Sequence, residues 1–113
     1  MNDRELLELA AKAAGMDFEG HTASGVGCYI KGVESKWSPL TDDGDALRLA
    51  VALNLNIWRG MWPSKERYVA AQRLWDCNDS LYYDDGVAID CDPLTATRRA
   101  IVRAAADIGE AML

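Results

Sequence analysis

The residues best equipped for chemistry in this 113-residue chain are its aspartates. Asp76, Asp79, Asp84, Asp85, Asp90 and Asp92 fall within seventeen positions, and Asp42, Asp43 and Asp45 crowd a second short stretch. Converging carboxylates can hold a divalent cation. The stretch DCNDSLYYDDGV nevertheless fails as a calcium loop: its glycine is misplaced, and Val87 stands where a bidentate acid is required. The first three acids read more simply as a helix start, where negative charge complements the macrodipole. The later group reads as charged loops and strand edges, which resist unwanted pairing. No metal ligands are expected.

Nucleophilic chemistry has equally little local support. His21 is the only histidine and sits in a turn rich in Gly and Ser, where a surface side chain is the simpler reading. Pairing it with one of Cys28, Cys77 or Cys91 would make a thiol nucleophile only with positioned partners that spacing does not reveal. The chain has no G-x-S-x-G, no H-E-x-x-H, no phosphate loop and no dinucleotide fingerprint. Catalytic residues and cofactors are therefore expected to be absent.

The acids have a sharper use as negative surface. Asp76, Asp79, Asp84 and Asp85 could imitate a phosphate track and face a basic groove on a partner, which speeds association and selects the partner. Trp58, Trp62 and Trp75 stand among polar neighbours, and exposed tryptophan rimmed by acids is a typical interface anchor. Filling a small core would use the same residues, and the sequence leaves the two uses even. Arg98, Arg99 and Arg103 lie on turns of the last helix where the dipole does not favour them, so they pair with aspartates or meet a partner. The candidate partner-binding set is thus Asp76, Asp79, Asp84, Asp85, Trp58, Trp62, Trp75, Arg99 and Arg103.

Wider bounds agree with a protein-binding role. The length suits one domain over residues 1–113. Half the residues are hydrophobic and 27% charged, an ordinary globular balance. The net charge of −6 argues against nucleic acid or anionic membrane as the partner. Neither a signal peptide nor a membrane span is expected, and three cysteines without C-x-x-C spacing read as reduced thiols of a cytoplasm.

The elements that must position these residues follow from periodicity. Asp3 can cap a first helix with Leu6, Leu9, Ala10, Ala13 and Ala14 on one stripe and Gly15 as its stop. Two short strands follow in the glycine-rich stretch to Trp37, with Phe18, Cys28 and Ile30 inward. A second helix would bury Leu47, Val51 and Ala50, widened by Leu49 and Leu53. The stretch LNLNIWRGMW reads as a strand, alternating over Leu53–Trp58 and ended by Gly60 and Pro63. Residues 65–77 fit helix or strand, and LYYDDGVAID suggests a hairpin turning at Asp85-Gly86. The last helix is capped by Asp92, begins with Pro93, and carries Leu94, Ile101, Ala104, Ala105, Ile108 and Met112 on its stripe. Pro-Leu-Thr occurs at both 39–41 and 93–95, which reads as one helix-start signal used twice, with Ser38 or Thr41 as the first cap. The expected fold is α+β: three amphipathic helices over one mainly antiparallel sheet of about four or five strands.

The stretches NDRELLELAAKAAG, PLTDDGDALRLAVALNL and DPLTATRRAIVRAAADIGEAM together resemble a group of small proteins encoded by tailed bacteriophages and prophages. More loosely, the chain is similar to small phage proteins with an α–β–α sandwich domain. The resemblance implies no activity that maps onto residues here. It implies a non-enzymatic accessory protein that binds a host or phage protein, including inhibition of a nucleic-acid-binding defence complex. Two alternatives stay open: a nucleotide-signal binder using the glycine-rich strands, and a self-associating structural module.

Overall fold

The structure, a computed structural model, describes residues 2–74, 81–83, 87–88 and 92–112. Helix α1 spans Asp3–Ala13. Its cap is Asn2 rather than Asp3: the Asn2 side chain accepts from the Glu5 N–H at 2.9 Å, leaving Asp3 in the first turn. The far end is a Schellman stop. Gly15 takes φ +73°, its N–H reaches the Lys12 carbonyl, and the Met16 N–H reaches that of Ala11.

Strands β1 (Phe18–His21) and β2 (Cys28–Ile30) pair antiparallel, and Cys28 also bridges Trp37. Helix α2 covers Asp43–Ala52, with Asp42 as its cap accepting from the Asp45 N–H at 2.8 Å. Pro39 therefore precedes the helix, inside a turn closed by the Asp42 N–H on the Ser38 carbonyl. In α3 (Pro93–Ala111) the matching proline is in the first turn, and Asp92 caps it through the Leu94 N–H. The two Pro-Leu-Thr stretches thus serve different local structures.

The buried stripe of α2 is Ala46, Leu49 and Ala50, continued by Leu53. The expected Leu47 and Val51 lie on the opposite side, 61% and 68% exposed. An apolar pattern wider than the available core lets either side be chosen, and α3 decides it by packing against the alanine side. After Leu53 the chain turns through Asn54 at φ +54°, so the alternating strand begins two residues later than its pattern.

Strands β3 (Leu55–Met61) and β4 (Arg67–Leu74) form an antiparallel hairpin of seven facing pairs. Strand thus takes the ambiguous stretch over Arg67–Leu74, with the alternate residues Val69 and Ala71 buried against α3. Trp62–Lys65 makes the turn, with Pro63 second and Lys65 at φ +72°. Among the described residues, strands β5 (Leu81–Tyr83) and β6 (Val87–Ala88) do not pair with one another as the expected hairpin would. Both pair antiparallel with β4, Tyr83 opposite Gln72 and Val87 opposite Val69. The turn pair Asp85-Gly86 itself lies outside the described residues.

The molecule is α+β, but its strands divide between two antiparallel sheets instead of joining one. The layers also differ from a sheet covered on both faces by helices. Helix α3 is the middle layer: Ala96, Ala100 and Ala104 meet Val69 and Ala71 of the larger sheet. Its Ile101, Val102, Ala105, Ala106 and Ile108 meet α1, α2 and β2. A helix buried on two sides needs small residues where backbones approach, which explains why Ala96, Ala100 and Ala106 are buried in addition to the Ala104 and Ala105 of the expected stripe. Leu94 and Met112, expected on that stripe, lie at its ends and are 58% and 41% exposed.

Candidate functional site

The two faces of the β3–β4 hairpin differ because side chains alternate. Val69 and Ala71 point toward α3, so their neighbours Tyr68 and Ala70 point away, as do the facing residues Gly60 and Trp58. On this outer face the Trp62 ring stacks on Tyr68, with centroids 5.0 Å apart and planes 26° apart. Gly60 makes room for the phenol: a Cβ there would come 2.3 Å from the Tyr68 hydroxyl oxygen. Trp58, Trp62 and Tyr68 are each half-buried, presenting ring surface without being sealed into the core. Trp58 is engaged with its surroundings.

Of the residues singled out in the sequence, this face brings together Trp58 and Trp62. Trp75, Asp76, Asp79, Asp84 and Asp85 lie outside the described residues. The arginines lie elsewhere. Arg99 grips Asp3 through both guanidinium nitrogens at 3.0 and 3.3 Å, joining α3 to the start of α1. Arg98, with only 15% of its side chain exposed, donates to the Leu40 carbonyl at 3.0 Å and pairs with Asp43. Arg103 is half-buried and is not a free cation.

No protein-family model, curated protein or solved structure matches this chain.

A second constellation was not legible in the sequence. His21 and Cys28 face each other across β1 and β2, with Cys28 Sγ 4.0 Å from His21 Nδ1. His21 Nε2 lies 3.8 Å from a Glu8 carboxylate oxygen on α1. The order thiol, imidazole, carboxylate is that of a nucleophile with its base and orienter. Its electrostatics are those of a core thiol. Cys28 is fully buried, and burial together with the Glu8 charge pushes its pKa up to about 11. An activated cysteine needs the opposite shift and access to solvent. Among the described residues no group of three or more His, Cys, Asp or Glu side chains is placed to hold a metal ion.

Nor does the start of α2 offer bare N–H groups to a phosphate. The Asp42 carboxylate takes the Asp45 N–H, and Asp45 reaches back to the Ser38 N–H at 2.9 Å. Beyond that helix lies a shallow groove of about 360 Å³ between α2 and the beginning of β3. Leu47 and Val51 line one wall, Leu55 and Ile57 the other. It was missed because the sequence pattern assigns Leu47 and Val51 to the core. No helix among the described residues is long and apolar enough to cross a membrane.

Proposed function

We propose that this chain is a non-enzymatic accessory protein of a tailed phage or prophage that binds a protein partner in the bacterial cytoplasm. Its binding surface is the outer face of the β3–β4 hairpin. The supporting observation is the aromatic group of Trp58, Trp62 and Tyr68, turned away from α3 and only half-buried. Rigid aromatic rings supply large contact area at small conformational cost, which suits them as interface anchors. In chain order the acids Asp76, Asp79, Asp84 and Asp85 separate β4, β5 and β6, the strands of this same sheet. They add the negative charge that would select a basic groove, and the most specific form of the proposal is inhibition of a nucleic-acid-binding defence complex. Arg99 and Arg103 belong in this reading to the frame rather than to the contact.

Affinity capture from host lysate, compared between the wild-type chain and Trp58→Ala/Trp62→Ala, tests the surface. A partner retained by the first and lost by the second is the expected outcome, with the variant's melting shown to stay cooperative. Partner affinity should then fall as salt rises. Equal capture by both proteins would move the interface elsewhere, and affinity indifferent to salt would remove the charge-mimicry part.

A further inference from the structure

Strand β3 is the outermost strand of its sheet: β4 lies on one side, and among the described residues no strand pairs on the other. The hairpin closure establishes which backbone groups face that open edge. The Trp62 N–H donates to the Glu66 carbonyl at 2.9 Å, and antiparallel pairs alternate between bonded and non-bonded. Gly60, Trp58 and Asn56 therefore bond to β4, while Leu55, Ile57, Arg59 and Met61 turn their N–H and C=O groups outward. These four residues also carry their side chains on the α3 side of the sheet, as shown by their facing partners Val69 and Ala71.

That strip has a definite chemistry. Ile57 and Met61 are 40% and 60% exposed, with the exposed Arg59 between them and the exposed Arg67 opposite Met61. Neither arginine is ion-paired among the described residues. Toward Leu55 the strip runs into the groove walled by Leu47 and Val51. An open edge with hydrogen-bonding groups, apolar side chains and unneutralised positive charge is incompletely satisfied in this chain alone.

We propose that the open edge of β3 takes an extended peptide strand of a partner, with an acidic side chain opposite Arg59 and apolar ones opposite Ile57 and Met61. Main-chain bonds along the edge would supply affinity and the alternate side chains the specificity. The charge argues for an acidic peptide over a second copy of this chain. A second copy would bring to the junction another β3, which carries Arg59 and no acid, whereas an acidic peptide meets Arg59 and Arg67 with opposite sign. This surface is distinct from the Trp58–Trp62 face, so it stands or falls independently of the function proposed above.

The probe is a capped, fluorescent peptide alternating threonine with leucine, glutamate and valine, glutamate central, and a companion with lysine replacing glutamate. Binding is read by anisotropy, and amide exchange is read along β3. The glutamate peptide should bind about tenfold or more tightly than the lysine peptide. Arg59→Glu should reverse that order, and Arg59→Gln should abolish the preference without reversing it. Exchange should slow at the outward amides of Ile57 and Arg59. Absence of binding by either peptide, equal binding by both, or unchanged exchange along β3 would overturn the proposal. Protection of those amides that grows with protein concentration, without peptide, would assign the edge to a second copy and overturn it equally.

Discussion

An added Cβ at Gly109 would lie 2.0 Å from the Leu9 carbonyl oxygen, so α1 and α3 cross with backbone against backbone at that point. Neither helix can yield without disturbing the core cluster they share. Gly109→Ala should therefore destabilise by about 3 kcal/mol in urea unfolding, against roughly 1 kcal/mol for Gly15→Ala at the open end of α1. Similar losses at both positions would show that α1 can shift away from α3. Cys28 makes a different residue-scale prediction. Its pKa stands at about 11 in the fold against an ordinary 9.0. Between those values the unfolded chain has lost a proton that the folded chain keeps, so stability falls as pH rises through that window. Cys28→Ala should flatten this decline in parallel melts. Identical slopes in the two proteins would mean that the thiol is not held neutral by the fold. The Cys28–His21–Glu8 grouping was illegible in the sequence for a simple reason: it needs the β1–β2 register and the approach of α1, and neither leaves a local pattern.

Two neighbouring arginines on α3 tie the elements together unequally. Arg99 and Asp3 are a bidentate pair with 37% and 42% of their side chains exposed, where solvent screens most of the attraction. Arg98 is largely covered and satisfies the Leu40 carbonyl ahead of α2 as well as pairing with Asp43. Arg99→Ala should cost at most about 1 kcal/mol and depend on salt, and Arg98→Ala about 1.5–3 kcal/mol with little salt dependence. Chemical denaturation at low and high salt separates them, and equal costs would deny the Leu40 contact its role. This pairing answers, for two of the three arginines, the question raised by basic residues with no help from the dipole. Legibility in the sequence follows how locally each element is determined. The start of α3 was readable because Asp92 and Pro93 act within one turn. The stop of α1 was readable because only Gly15 suits its left-handed turn. The buried side of α2 was not, because Leu47 and Val51 are as apolar as Leu49 and Leu53, and only α3 distinguishes them. Strand β4 is ambiguous in the sequence because Tyr68, Ala71 and Trp75 fit a helical period while Val69, Ala71, Arg73 and Trp75 fit a strand period. The short strands β5 and β6 are not legible as partners of β4 because the turn pair Asp85-Gly86 suggests a local hairpin over LYYDDGVAID, whereas the edge they meet on β4 lies outside that stretch.

At the scale of the molecule, α3 is shared by two hydrophobic clusters that otherwise have little in common. One holds Ala96, Ala100 and Ala104 with Val69 and Ala71; the other holds Ile101, Val102, Ala105 and Ile108 with α1, α2 and β2. The cluster on the larger sheet is much the smaller of the two, and loss of either layer would uncover one face of α3. Loss of either packing therefore exposes a helix on which the other depends, so the two sheets should unfold together despite having no strand in common. Ile101→Ala removes volume from one cluster and should cost about 2–5 kcal/mol; Val69→Ala removes less from the other and should cost less. Both should lower one shared transition, with coincident midpoints for tryptophan fluorescence, which samples the larger sheet and Trp37, and for helical circular dichroism. Amide exchange should show α3 opening only with the whole chain, while the open edge of β3 exchanges by smaller fluctuations. Two separated transitions in Val69→Ala, the larger sheet melting first while α1 and α3 persist, would show that the helical layer is stable without it. In that case α3 would be a platform carrying a detachable sheet, and the aromatic face on β3 and β4 could reorganise on binding without cost to the helices.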